Sequence, residues 1–168
     1  MFNFTAYFEA MAANLVLLGN GTADGRFFVA DSINNMEGLL MATRTMKFPC
    51  IVAIDNDESR YVERLADNVQ ETKFYTFGLF KKARNLAPTD KMQVKADLDV
   101  VMKKIVAKMK RDKGRAMNGL RDLDMNSFSF FEVPAIGDNI IGKMCTFTVL
   151  TSAELNIQPH DIIQDFSI

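Results

Sequence analysis

The sequence predicts an α+β domain, a mostly antiparallel sheet backed by a long helix at 90–113 and by an N-terminal helix. Three observations predict it. Residues 90–114, DKMQVKADLDVVMKKIVAKMKRDKG, place Val94, Leu98, Val101, Met102, Ile105, Val106 and Met109 at three- and four-residue steps. That is one apolar face of a helix, about 35 Å long at roughly 1.5 Å per residue. Residues 140–150, IIGKMCTFTVL, alternate instead, with Cys145, Phe147 and Val149 on one face and Thr146 and Thr148 on the other. Strand-like segments lie on both sides of the long helix, and strand pairs separated by helices fold as a sheet with helices on one face.

Taken in order, Thr5–Leu18 predicts the first helix, with Tyr7, Phe8, Met11, Leu15 and Leu18 as its apolar side. Gly19, Asn20, Gly21 and Gly25 make a loop; it lacks the strand–loop–helix context and the Lys-Ser/Thr of a phosphate-binding loop. Phe27–Ala30 is a short apolar segment. Asp31 or Ser32 can cap a second helix reaching about Thr45, burying Ile33, Met36, Leu39 and Leu40. Phe48–Asp55, β-branched and bounded by acidic turn residues, predicts a strand, and 55–65 an exposed connection or helical turn. Val69–Ala83 holds a second strand with Phe74–Phe80 at its heart, where Gly78 marks a bulge or a close backbone approach.

Thr89 or Asp90 then caps the long helix after Pro88, and Gly114 ends it in a left-handed conformation. Asp97 and Asp99 toward its start, and Lys108, Lys110, Arg111 and Lys113 toward its end, suit the helix dipole. Residues 115–126 read as a polar loop or frayed turn. Ser127–Val133 and Ile140–Leu150 form a hairpin across Pro134 and Gly137. The tail, 152–168, carries Leu155, Ile157, Ile162, Ile163 and Phe166; so apolar a tail packs on its own domain or on a neighbouring copy.

A chain of 168 residues fits one domain, 1–168, with 152–168 as an interface-forming tail. Its net charge of −1 gives no electrostatic ground for nucleic acid or an acidic membrane as the main partner. The N-terminal stretch lacks a basic start and is interrupted by Glu9, so it reads as an amphipathic helix rather than a signal peptide. No apolar run approaches the ~20 residues of a membrane span. Cys50 and Cys145 lie inside apolar runs and read as buried free thiols. Fourteen Phe and eleven Met without Trp are an unusual mixture, with Met as a filler of core gaps.

No catalytic motif is complete, and no cofactor or metal is implied. Ile51–Ser59, IVAIDNDES, resembles the first motif of haloacid-dehalogenase-type phosphohydrolases, in which Asp55 would be the nucleophile and Asp57 the general acid beside Mg²⁺. Gly does not follow the second Asp, and Gly137-Asp138 has no second acid at the needed spacing, so this stays a remote alternative. Asp55, Asp57 and Ser59 fit the first positions of a calcium loop, but Arg60 replaces its glycine and Ala66 its bidentate Glu. His160 is the single histidine, which leaves little for histidine-based metal or nucleophile sites. Lys103, Lys104, Lys108, Lys110, Arg111, Lys113 and Arg115 are the one basic concentration. Without interleaved aromatics to stack bases they read as a solvated helix face, with nucleic-acid or lumen-facing contact as the sharper alternative.

The element order Thr5–Leu18, Phe48–Asp55, Lys73–Lys82, Asp90–Lys113 and Ser127–Leu150 resembles the tail-terminator and tail-completion (head–tail connector) proteins of tailed bacteriophages. The resemblance implies a structural virion protein, not an enzyme, assembled in the host cytoplasm as a homo-oligomeric, hexameric ring that contacts other tail or neck proteins. Nucleic acid would meet it only by passing through the ring. Phe147 and Val149 of the last strand, with Leu155, Ile157, Ile162, Ile163 and Phe166 of the tail, would then supply subunit contacts. A non-enzymatic adaptor or small-ligand-binding domain is the alternative reading of the same chain.

Overall fold

The computed structural model describes residues 2–15, 17–18, 23–30, 45–54, 58–64, 68–85, 87–136 and 139–152. Their elements run α1 (Phe4–Asn14), β1 (Phe27–Ala30), β2 (Cys50–Ile54), β3 (Ser59–Arg64), β4 (Asn68–Lys82), α2 (Pro88–Gly114), β5 (Leu123–Ile136) and β6 (Ile140–Ser152). The expected second helix at 32–45 falls almost wholly outside the described residues.

The strands form a mixed sheet in the order β1-β2-β4-β6-β5, with β3 beside β4. Only β1 and β2 are parallel; the other pairs are antiparallel. The fifteen-residue β4 is the spine. One of its edges takes β6 along nearly its whole length, from Gln70 opposite Ser152 to Lys82 opposite Ile140. Its other edge takes β2 at Thr76–Phe80 and β3 at Asn68–Lys73. The segment 59–64 is therefore a strand, not the exposed connection or helical turn expected from its charges. Residues 58–61 are exposed, so charged side chains there cost nothing in burial.

Alternation assigns the faces. Ile51, Ala53, Phe77, Leu79, Ile141, Cys145, Phe147 and Val149 point to the side covered by α1 and α2, in one continuous core. Cys50, Val52, Ile54, Phe80, Ile140 and Met144 form a second, smaller cluster on the reverse side with Met46. Both cysteines are buried free thiols, and burial pushes each up to about 12. Gly78 sits in regular register opposite Met144 rather than in a bulge, and its role is close approach. The Phe80 ring lies across Gly78 and Gly142, where an added Cβ would come within 2.6 Å and 2.4 Å of ring atoms. Gly142→Ala should accordingly destabilise the fold by about 1–2 kcal/mol through overpacking. Equilibrium urea unfolding checks this; an unchanged midpoint would mean that the ring is free to move aside.

The long helix matches its expected buried face at Val94, Leu98, Val101, Met102, Ile105 and Met109. Val106 is only half-buried. Its ends differ from expectation. Ala87 is the N-cap and offers no side-chain bond, because Pro88 occupies the first turn and removes one orphan N–H itself. At the other end Gly114 remains helical, since Arg115 N–H still reaches the carbonyls of Arg111, Asp112 and Lys113. The left-handed turn comes later, at Ala116, Asn118 and Gly119. Ion pairs Lys81–Asp97, Lys95–Glu132 and Lys143–Asp99 tie the N-terminal half of α2 to the sheet.

The last hairpin is present, but β5 begins at Leu123, earlier than expected. Between Asp124 and Ser129 the register breaks against β6. Ser127 Oγ accepts Thr148 N–H at 2.8 Å in place of a backbone partner, and the Asp124 side chain accepts Asn126 N–H at 2.9 Å. Such an Asx turn hides a strand in polar sequence.

Candidate functional site

Two surfaces stand out, and both arise where a regular element lacks a cover. The first is the groove between α1 and the C-terminal half of α2, about 970 Å³ in volume. On α1, Asn3 caps the helix by accepting Ala6 N–H at 3.0 Å. Ala6, Ala10 and Asn14 then follow at four-residue steps along the groove. On α2, Lys104, Ala107, Lys108 and Arg111 form the facing stripe, with Tyr7, Met11 and Leu15 between. Three alanines keep the walls low, which is why the groove is open. Its chemistry is apolar below and cationic on one rim.

At the end of this groove lies a buried polar knot. Asp112 is 1 % exposed and accepts from Tyr7 Oη at 2.9 Å, from Asn118 Nδ2 at 3.2 Å and from Lys108 Nζ. The Lys108 ammonium also stands 5.8 Å from the centre of the Tyr7 ring. Burial opposes ionisation of Asp112, but the hydrogen bonds from Lys108, Tyr7 and Asn118 outweigh it and hold the carboxyl below its ordinary range. Burial first, and then the bond to Asp112, push the Tyr7 phenol well above its usual value, so it remains a donor. A buried acid in the last turn opposes the helix dipole, and the knot neutralises it. Its function is to bolt α1 to α2. It has no free nucleophile.

The second surface is β5. Its inner edge pairs with β6, while its outer edge has no partner strand among the described residues. Phe128 is anchored by stacking on Phe147, ring centres 5.5 Å apart. Phe130, on the same face, is 46 % exposed, and Phe131, on the reverse face, is 39 % exposed. Two large aromatics on a long free edge form a contact surface rather than a covered one.

The residues expected to matter fall differently. Phe147 and Val149 are buried beneath α1 and α2, so their side chains cannot meet a neighbouring subunit; the face of β6 that carries them is the domain's own core. Leu155, Ile157, Ile162, Ile163 and Phe166 lie outside the described residues, as do Asp55, Asp57, Asp138 and His160. Lys103, Lys104, Lys110 and Arg111 are exposed and Lys108 is half-buried on Asp112. Lys104 and Arg111 make no ion pair among the described residues. Sequence reading missed Asp112, although extending the apolar face three residues beyond Met109 lands on it. It also missed Phe130 and Phe131, whose exposure depends on where the covering layers end over the sheet.

Among the described residues no group of three or more His, Cys, Asp or Glu side chains is gathered for a metal ion. No described helix is long and apolar enough to cross a membrane. No protein-family model matches the chain, and no curated protein does.

Proposed function

We propose that the chain is the subunit of a homo-oligomeric ring, of the kind that ends a phage tail or joins it to the head. The observation that carries this reading is the outer edge of β5, which has no partner strand among the described residues, with Phe130 and Phe131 exposed on its two faces. An exposed hydrophobic edge of this length invites another chain, and a head-to-tail contact repeated around an axis closes a ring. The element order supports the same reading, as does a surface with low net charge and no assembled catalytic group among the described residues. In such a ring the exposed basic stripe of α2 is available to the lumen, and contact with other tail or neck proteins follows from the role.

Phe130→Asp with Phe131→Asp tests it. More than half of each side chain is buried and Phe130 stacks on Phe128, so the pair should cost about 1–3 kcal/mol of folding stability, and cooperative unfolding of the variant is checked before its mass is read. Light scattering should show an assembly for the parent chain and a monomer for the variant. If the variant retains the parent's mass, β5 is not the contact.

A further inference from the structure

The groove between α1 and α2 calls for an occupant that is apolar along one side and acidic along the other. Its floor is Tyr7 and Met11 with low alanine walls, and its rim is Lys104, Lys108 and Arg111. Lys108 is already committed to Asp112. Lys104 and Arg111, about two turns apart on the same stripe, are exposed and make no ion pair among the described residues.

The chain itself supplies a segment of that chemistry. Residues 153–168, AELNIQPHDIIQDFSI, contain three acids, Glu154, Asp161 and Asp165, and no Lys or Arg. Its apolar residues Ile162, Ile163 and Phe166 are interleaved with the acids Asp161 and Asp165. The point of departure is close. Leu150 and Thr151, at the end of β6, line a hollow together with Lys113 of α2 and Arg121. The segment thus leaves the sheet beside the C-terminal turn of the helix that carries Arg111.

We propose that the groove takes up residues 153–168 of a neighbouring copy, with Ile162, Ile163 and Phe166 against the floor of Tyr7 and Met11 and with Asp161 and Asp165 toward Lys104 and Arg111. Delivery by a neighbour rests on the ring reading above; the match of groove and segment does not. An arm exchanged in this way adds to the β5 contact without holding the assembly by itself, and its share of the strength falls as salt rises.

The test is zero-length carbodiimide crosslinking of the full chain, mixed from ¹⁴N- and ¹⁵N-labelled protein and read by mass spectrometry. Such a crosslink forms only between an amine and a carboxylate in salt-bridge contact. The expected products join Asp161 or Asp165 to Lys104 in peptides of mixed label. Arg111→Glu, which leaves every crosslinkable amine in place, should largely abolish them. Absence of these products, or a yield unchanged in Arg111→Glu, overturns the proposal. Products of unmixed label alone would mean that the segment fills its own groove, and would overturn delivery by a neighbour. Light scattering of the same sample separates the two readings: an assembly without the crosslink removes this proposal and leaves the ring, whereas a monomer removes the ring.

Discussion

Phe8→Ala should lower the unfolding free energy by about 3–5 kcal/mol. Phe8 is fully buried where α1 meets the sheet. Its ring centre lies 4.3 Å from that of Phe77 in β4, 5.1 Å from Phe4 and 6.3 Å from Phe147 in β6. Phe77 and Phe147 are held by the β4–β6 ladder, so the walls of the resulting cavity cannot close in, and the lost contacts are not recovered. Urea unfolding should show a lower midpoint with an unchanged slope. A loss below about 1 kcal/mol would mean that α1 contributes little to the core, contrary to the packing described above.

Asp112→Ala should cost about 2–3 kcal/mol, less than the core truncation but by a different mechanism. The substitution removes the acceptor shared by Tyr7, Lys108 and Asn118 and leaves the Tyr7 hydroxyl buried without this partner. Tyr7→Phe alone should cost about 1–2 kcal/mol, and the double variant less than the sum, because both changes break one knot. The pH dependence has a definite sign. The folded-state pKa of Asp112 lies below the unfolded value, so its contribution is complete above the unfolded carboxylate pKa of about 4. It is lost as pH falls through the folded value. Wild type should therefore lose stability on acidification below about pH 4 more steeply than Asp112→Ala. Parallel acid limbs for the two proteins would show that the carboxylate is not held ionised by the knot.

How far the sequence carried this picture depended on periodicity. The long helix was legible because its apolar residues recur at helical steps from Val94 to Met109, and the final hairpin because Cys145, Phe147 and Val149 alternate with Thr146 and Thr148. The strand at 59–64 was not, since Ser59, Arg60 and Tyr61 are all exposed there and leave no alternation to read. The start of β5 was hidden by the Asx turn at Asp124 and by Ser127 standing in for a ladder bond. The ends of α2 were misplaced because Pro88 can open a helix without a side-chain cap and Gly114 can remain inside one.

The candidate site was less legible than the fold. Phe147 and Val149 look alike from both faces of an unplaced strand, and only the positions of α1 and α2 show them to be core. Asp112 reads as one charge among many at a basic helix end until Tyr7, from 105 residues away, is brought against it. The groove depends on Ala6, Ala10 and Ala107, whose importance lies in what they leave empty. No pattern within one segment encodes a cleft between two.

The proposed assembly of copies through β5 into a closed ring is open to test by native mass spectrometry of the purified full chain, with negative-stain imaging of the same sample. A single assembly at an integral multiple of the subunit mass is expected, six copies in the form the resemblance implies, seen end-on as a ring with a central opening. A chain that stays monomeric at high concentration, or forms open aggregates without a closed end-on view, would contradict it.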